Sequence, residues 1–208
     1  MIHPNSFQNM ERIEAGFCDA QESLIQTNLI LMNQVHGADV LILTEAPPDM
    51  PSCDALVTKI PHLKLTVKTA DCAPVLFVDP VAQIIGAAHA GWKGAFQGIM
   101  ENTLLTMLSM GATLKNIHVA IGPHLMQQSF QIGPDMKHLF PKTEQHFFKQ
   151  IDTGVYFDFT NYLVHRLKRT GLTNIEVIAL DTYSDQRYNS YRRDPNNPAR
   201  QYSIIMIK

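Results

Sequence analysis

The chain has 208 residues, of which 45% are hydrophobic and 17% charged, and this length predicts one domain spanning residues 1–208. Lys and Arg number 17 against 19 Asp and Glu, a formal net charge of -2, which argues against nucleic acid as a partner. Acidic residues near the N-terminus argue against a secretory signal. No apolar run approaches the ~18 residues of a membrane-spanning helix, so we expect none.

The first predicted elements are strands. Between 62 and 68 apolar residues occupy every second position, which is typical of a half-buried strand. Two short apolar runs follow, at 74–78 and 84–88, and their length favours strands buried on both faces.

Apolar residues recur at helical spacing from Gly94 to Gly111, and glycine is a common residue at the C-terminal end of a helix, so we expect one long helix there. Alternation at 117–121 predicts another strand. A second helix is predicted from Thr160, as N-cap, to Gly171, with strands at 175–180 and 202–207. This order of elements indicates a mixed fold of the α/β or α+β class.

Three reactive side chains lie beside glycines or at predicted strand ends. His36 precedes Gly37, Cys72 lies between two predicted strands, and His89 ends one of them. If those strands are neighbours in the sheet, Cys72 and His89 would lie close together at one edge.

Two imidazoles and one thiolate form a ligand set that suits zinc and leaves a fourth position open. The spacing between these residues matches no short zinc motif, however, so spacing alone leaves the interpretation open. The alternative is that Cys72 is an inert buried thiol and both histidines are hydrogen-bonded structural residues.

A different chemistry uses the same atoms. Cys72 would be a nucleophile and His89 its general base, as in cysteine hydrolases such as amidases and deamidases. Asp54 and Asp71 are candidates for orienting a histidine, although Asp71 is better suited to shaping the turn. The three cysteines of the chain, an odd number, favour a reducing compartment such as the cytoplasm over a disulfide framework.

Two further features near predicted strand ends are ambiguous. The adjacent Arg192 and Arg193 are typical of a solvated turn, but one guanidinium turned inward could hold a phosphate or carboxylate through two hydrogen bonds. His124, after Gly122 and Pro123, is a candidate for the lining of a pocket.

Six segments together resemble the YfiH/LACC-domain family, long labelled polyphenol oxidoreductase laccase and now regarded as purine nucleoside phosphorylases. The resemblance covers about residues 30–208. The segments are QVHG at 34–37, DALVT at 54–58, TADCAPVLF at 69–77, AHAGWKG at 88–94, IGP at 121–123 and SYRRD at 190–194.

This resemblance implies an α+β fold in which a mixed β-sheet sandwich is flanked by helices. It also implies a zinc site, with copper as a possible substitute, whose ligands are His36, Cys72 and His89. The same three residues would form the catalytic centre. The implied reaction is phosphorolysis of adenosine, inosine or guanosine, with adenosine deamination as a related activity.

The sequence departs from the family pattern in its N-terminal region, where 33 residues precede Gln34 and no asparagine–arginine pair occurs. An arginine expected to help hold phosphate is therefore missing, and we expect an N-terminally shortened member of the family. Lys93, Arg192 and Arg193 are the cations that remain in segments near the implied site, so they are the predicted phosphate ligands.

Two further functions stay open. A copper laccase is disfavoured because multicopper oxidation needs many paired histidines, and the nine histidines here include no H-x-H pair. A metal-binding protein without turnover would also fit the shortened N-terminus. The sequence does not indicate an oligomeric state.

Overall fold

The structure, a computed structural model, describes residues 1–133 and 135–208. Its strands are β1 (Ile13–Phe17), β2 (Leu29–Ile30), β3 (Val40–Leu43), β4 (Ala55–Thr58), β5 (Lys64–Thr69), β6 (Ala73–Asp79), β7 (Ile84–Ala90), β8 (His118–Ile121), β9 (Gln131–Ile132), β10 (Phe148–Ile151), β11 (Gly154–Phe157), β12 (Asn174–Val177) and β13 (Gln201–Ile207). Its α-helices are α1 (Ala20–Ser23), α2 (Trp92–Gln97), α3 (Ile99–Ser109) and α4 (Phe159–Arg169). Short 3₁₀ turns occupy Asn5–Phe7, Leu114–Asn116, Met136–Leu139 and Lys142–Phe147.

A six-stranded sheet in the order β12-β8-β6-β7-β4-β3 forms the centre of the fold. Its four inner strands pair antiparallel, and each edge strand pairs parallel to its neighbour. Every residue of β6 and β7 is buried. This burial on both faces explains why the two strands have continuous apolar sequences instead of an alternating pattern.

The two faces of this sheet pack against different layers. One face, which includes Val75 and Phe77, packs against helical residues such as Ile99 and Met107. The opposite face packs against the sheet β1-β13-β5-β2, which is also mixed. Because α4 packs on the helical side as well, the result is a mixed sheet sandwich flanked by helices, which confirms the predicted fold class. A small antiparallel sheet, β10-β11-β9, completes the described strands.

The helices differ from the sequence prediction in two places. The long helix predicted after Gly94 begins earlier, at Trp92, and is divided at Gly98, whose φ of 98° lies in the left-handed region. The second helix begins at Phe159, and its N-cap is Asp158, which accepts a hydrogen bond from the Asn161 amide. The predicted cap, Thr160, uses its hydroxyl for a hydrogen bond with His124 instead.

All six predicted strands are present, with ends displaced by at most three residues. Cys18, Cys53 and Cys72 are free thiols, and the first two are buried. Within the residues described, no helix combines the length and apolar character needed to cross a bilayer.

Candidate metal centre and cavity

The hairpin formed by β6 and β7 positions two of the three candidate ligands. The strands pair antiparallel with Pro74 opposite His89. Cys72 immediately precedes β6, so the hairpin places the thiol beside the imidazole at one edge of the central sheet. The topology therefore produces the proximity that the sequence suggested.

The third candidate ligand, His36, lies in a loop that is organised by Asp54. The Asp54 carboxylate is fully buried and accepts hydrogen bonds from the backbone amides of Val35, His36 and Gly37, at 3.2, 3.0 and 2.7 Å. His36 adopts a φ of 60°, a conformation that is uncommon for a residue other than glycine. The three amide bonds hold the loop in this turn.

Asp54 also orients His89. The Nδ1 atom of His89 lies 2.8 Å from Asp54 Oδ1, and an ionised carboxylate can only accept, so Nδ1 carries the proton. This fixes the tautomer and leaves Nε2 of His89 free for a ligand. Burial would raise the pKa of Asp54, but hydrogen bonds from His89 and Gly37 outweigh it and lower that pKa.

His36, Cys72 and His89 converge on one point. Their candidate ligand atoms all lie within 4.8 Å of one another, and the two imidazole rings meet edge to face with centroids 4.7 Å apart. Burial would raise the pKa of Cys72, yet hydrogen bonds from His36 and His89 lower it to about 6. Burial likewise opposes the charge on His89, but Asp54 and Cys72 raise its pKa to about 9. The two shifts go in opposite directions, and both favour the charged forms, a thiolate on Cys72 and a protonated ring on His89, when no metal is bound.

Two glycines make this convergence sterically possible. A Cβ atom on Gly91 would lie 2.7 Å from His36 Nδ1 and 3.2 Å from Cys72 Sγ. A Cβ atom on Gly94 would lie 2.6 Å from the carbonyl oxygen of Gly37. The segment 88–94 thus needs these two glycines for steric reasons, because the His36 loop packs directly on α2. The backbone conformation of Gly91 does not require glycine, since its φ of -70° is ordinary.

The chemistry of the donors fits a transition metal. Two imidazoles and one thiolate of lowered pKa are a common protein ligand set for zinc and related ions, and three protein ligands leave a position open. Among residues 1–133 and 135–208 this is the single group of three or more His, Cys, Asp or Glu side chains placed to hold a metal.

The three residues line a cavity of about 690 Å³. Large apolar side chains contribute to its wall, among them Trp92, Leu125, Phe130 and Phe159. The charged residues of the wall, in the described part of the chain, are Lys68, Asp71, Arg192 and Arg200. A volume of this size accommodates a small organic ligand together with an inorganic ion.

The cations predicted from sequence as phosphate ligands are separated by the structure. Arg192 lies in the cavity wall, whereas neither Lys93 nor Arg193 belongs to the part of the wall that the described residues form. Lys93 is exposed, with its Nζ 5.7 Å from the centroid of the Trp92 ring. The Arg193 guanidinium donates hydrogen bonds to the carbonyl oxygens of Thr182, Tyr183 and Tyr188, which is a structural arrangement within its own loop.

Other residues singled out from sequence have structural contacts. Asp71 accepts hydrogen bonds from the Thr182 hydroxyl and the Arg192 amide, and its φ is 86°, so it shapes the turn before Cys72. His124 is buried and bonded to the Gly122 carbonyl and the Thr160 hydroxyl, and burial lowers its pKa.

Sequence reasoning missed Lys68, Arg200 and two aromatic residues of the wall, Phe130 and Phe159. Lys68 stands in the predicted strand 62–68, where alternation indicates only a solvent-facing position. Phe130 and Phe159 belong to segments without a recognisable motif. No local signal in the sequence identifies these residues as neighbours of the thiol.

Comparison with known proteins identifies the family. The family described as multi-copper polyphenol oxidoreductase laccase matches residues 7–208. The chain belongs to this family. The match confirms the resemblance drawn from the six sequence segments.

Similar members of this laccase-like family include proteins named purine nucleoside phosphorylase. One from Rickettsia conorii is 35% identical over 190 residues, covering 86% of this chain and 78% of that protein. One from Deinococcus radiodurans is 34% identical over 176 residues, covering 84% of this chain and 68% of that protein. The chain is therefore similar to enzymes of the phosphorylase kind.

Solved structures show the same fold. The hypothetical protein YfiH from Bacillus licheniformis superimposes with a TM-score of 0.83 at 23% identity, covering 97% of this chain and 95% of the other. A Neisseria meningitidis protein of the DUF152 family gives a TM-score of 0.78 at 29% identity, covering 86% and 75% of the two chains. The sandwich described above is the fold of this laccase-like family.

Proposed function

We propose that the protein is a zinc-dependent purine nucleoside phosphorylase that acts on adenosine, inosine or guanosine. The observation that supports this most is the convergence of His36, Cys72 and His89 in the wall of a cavity with both aromatic and cationic sides. The relatives named purine nucleoside phosphorylase give the reaction class.

In the proposed reaction a phosphate oxygen forms a bond to C1′ of the ribose while the bond from C1′ to N9 of the purine breaks. The products are ribose 1-phosphate and the free base, whose leaving nitrogen takes up a proton. The transition state has the character of an oxocarbenium ion, so positioned phosphate and a dry pocket contribute more than a covalent nucleophile does.

His36, Cys72 and His89 would hold the metal, with zinc as the proposed ion and copper as the alternative. When bound, zinc supplies Lewis-acid chemistry and lowers the pKa of bound water. Asp54 has the positioning role: it keeps Nε2 of His89 available and holds the backbone of the His36 loop.

The remaining wall suits a purine nucleoside. Trp92 is half-buried, follows His89 by three residues and lines the cavity, so a planar base can pack against its ring. Phe130 and Phe159 are buried and form the apolar backing of the same wall. The apolar side chains exclude water from the reacting carbon. The cationic side of the same cavity is available for phosphate.

The direct test is to incubate the purified protein with inosine and phosphate and to measure hypoxanthine and ribose 1-phosphate. We expect both products in equal amounts, and we expect neither from the His36→Ala variant. His138→Ala is a matched control because His138 is exposed in a 3₁₀ turn and should retain full activity. The absence of product from the wild-type protein would refute phosphorolysis.

Adenosine deamination is proposed as a side activity of the same centre. Its test is the release of ammonia and inosine from adenosine in the absence of phosphate. Ammonia at the level of a no-enzyme blank would remove this activity and leave phosphorolysis unaffected.

A cysteine hydrolase is the second candidate, because Asp54, His89 and Cys72 form a hydrogen-bonded series with the thiol activated. In that case Cys72 would attack an amide, and the purified protein would lack stoichiometric metal. Metal at one equivalent per chain without consumption of any nucleoside would instead indicate a binding protein without turnover.

A copper laccase is the least supported alternative, since the described residues contain one metal-competent group where multicopper chemistry needs several. Oxygen uptake with a phenolic substrate on copper-loaded protein would revive it.

A further inference from the structure

We propose that Lys68, Arg192 and Arg200 form one subsite for a phosphoryl anion inside the cavity. The assignment deepens the proposed phosphorylase function and rests on it. It replaces Lys93 and Arg193 of the sequence-based prediction, and it gives Lys68 a role in binding that no motif indicated.

The first support is unbalanced charge. All three cations line the same cavity, and in residues 1–133 and 135–208 none of them forms an ion pair with a carboxylate. The one acidic residue in that wall, Asp71, already accepts bonds from Thr182 and from the backbone amide of Arg192. Three cations against one carboxylate leave the wall positive in a chain whose net charge is -2. A cleft with this field concentrates anions.

The second support is that hydrogen bonds hold the backbone of Lys68 and the guanidinium of Arg200 in place. The side chain of Gln34 bonds the backbone of Lys68 on both sides, accepting from its amide at 2.9 Å and donating to its carbonyl at 2.7 Å. The Arg200 guanidinium donates through Nη1 to the carbonyls of Asn197 and Ala199, at 3.2 and 2.7 Å. Nε and Nη2 of Arg200 make no hydrogen bond with the described residues, so this edge of the guanidinium is available to two ligand oxygens.

The third support is a buried hydroxyl without a partner. Thr69, next to Lys68 and also in the cavity wall, is 1% exposed, and its Oγ1 atom has no hydrogen-bond partner in the described structure. Buried polar atoms are nearly always paired in native proteins. Because Thr69 lines the same cavity as the three cations, a polar ligand or an ordered water in that cavity would satisfy its hydroxyl.

The phosphoryl group has two chemical sources. It can be inorganic phosphate, the co-substrate of phosphorolysis, or the 5′-phosphate of a nucleotide that occupies the cavity. Both present the same dianionic oxygens to Lys68, Arg192 and Arg200, and binding measurements separate them.

The test is equilibrium dialysis of the purified, metal-containing protein with radiolabelled inorganic phosphate. We expect Lys68→Gln to raise the Kd for phosphate at least about tenfold, because it removes one charge-assisted interaction, and Lys68→Arg to recover most of the affinity. Lys168→Gln makes the same change of charge at the exposed end of α4 and should change the Kd less than about twofold. Metal content is measured in every variant and should stay equal.

Competition by AMP identifies the source. Displacement of labelled phosphate by AMP but not by adenosine, with an affinity that falls in Lys68→Gln, would show that the subsite accepts a nucleotide phosphate. Failure of AMP to compete assigns the subsite to inorganic phosphate.

An unchanged phosphate Kd in both Lys68→Gln and Arg200→Gln would overturn the subsite. That result leaves phosphorolysis standing if the wild-type protein still converts inosine. Conversely, Lys68-dependent phosphate binding without any conversion of inosine would retain the subsite and remove the phosphorylase function.

Discussion

At the scale of single residues, Asp54 organises the site although it is not one of the candidate ligands. Its buried carboxylate accepts hydrogen bonds from the ring of His89 and from three backbone amides of the His36 loop. It therefore sets the position of two ligands that are 53 residues apart in sequence. The sequence offers Asp54 as a candidate for orienting a histidine, and its hydrogen bond with His89 agrees with that expectation, whereas its bonds to the His36 loop have no signal in the sequence.

We expect Asp54→Asn to lower metal affinity by about 10–100-fold, because the amide that replaces the second carboxylate oxygen cannot accept from the loop. Competition with a chromophoric chelator measures the affinity. Asp49→Asn, an exposed position, is the matched control. Wild-type affinity in Asp54→Asn would contradict the positioning role.

The pKa of Cys72, about 6, predicts an unusual pH profile of alkylation in protein treated with a chelator. Because a lowered pKa keeps the thiolate populated above that value, the rate with iodoacetamide should be level above pH 7 and fall as the pH drops through about 6. Cys18 and Cys53 should stay unmodified, since both are buried and burial raises the pKa of each.

Mass spectrometry after digestion locates the modified cysteine. A rate that still rises through pH 9, as for an ordinary thiol, would show that the imidazoles do not stabilise the thiolate.

At the scale of elements, the site depends on the contact between the His36 loop and α2. We expect Gly94→Ala to displace the loop, because the new methyl group would lie 2.6 Å from the Gly37 carbonyl, and to reduce the metal content of the purified protein. Gly133→Ala is the control because a Cβ atom there meets nothing within 4 Å among the described residues, its chain neighbours aside. Full metal content in Gly94→Ala would show that the loop is not held by this contact.

The sequence predicts strands and helices correctly where a local pattern of apolar residues is sufficient to define them. The alternation at 62–68 and the apolar runs of β6 and β7 depend only on the environment of each strand. The division of the helix at Gly98 was not predictable, since an isolated glycine within a helical pattern is often tolerated. The sequence predicts Thr160 as the N-cap because threonine is a good capping residue. The hydroxyl of Thr160 instead bonds to His124, a tertiary contact that no local pattern shows.

The sequence indicates the three candidate metal ligands, but it does not indicate which other residues line the cavity around them. His36, Cys72 and His89 lie beside glycines and at strand ends, which is a visible signal. The two adjacent arginines could not be distinguished by sequence, since the direction of each depends on the loop 190–200. Lys68 and Arg200 become neighbours of the cavity only because β5 and β13 pair, a contact between residues far apart in the chain.

At the scale of the whole molecule, the central sheet is shared by both hydrophobic clusters. Leu76 and Val78 face one cluster while Val75 and Phe77 face the other, so neither layer retains a core without the sheet. The prediction that 1–208 forms one domain therefore implies a single cooperative unfolding transition.

Denaturant unfolding measures this with two probes. Trp92, the only tryptophan of the sequence, reports the site by fluorescence, and far-ultraviolet circular dichroism reports the strands and helices. We expect coincident transitions. A Trp92 transition at clearly lower denaturant would show that the site and α2 unfold separately from the sandwich.

The burial of β6 and β7 on both faces has a consequence for amide hydrogen exchange. Their amides can exchange only when the sheet opens, which is among the rarest fluctuations of a folded chain, whereas the 34–37 loop is held at the surface largely by one carboxylate. Removal of the metal should therefore accelerate exchange at 35–37 and leave 84–90 unchanged. His36 would then bind and release the metal through movement of the 34–37 loop, while Cys72 and His89 stay in place on the hairpin of β6 and β7.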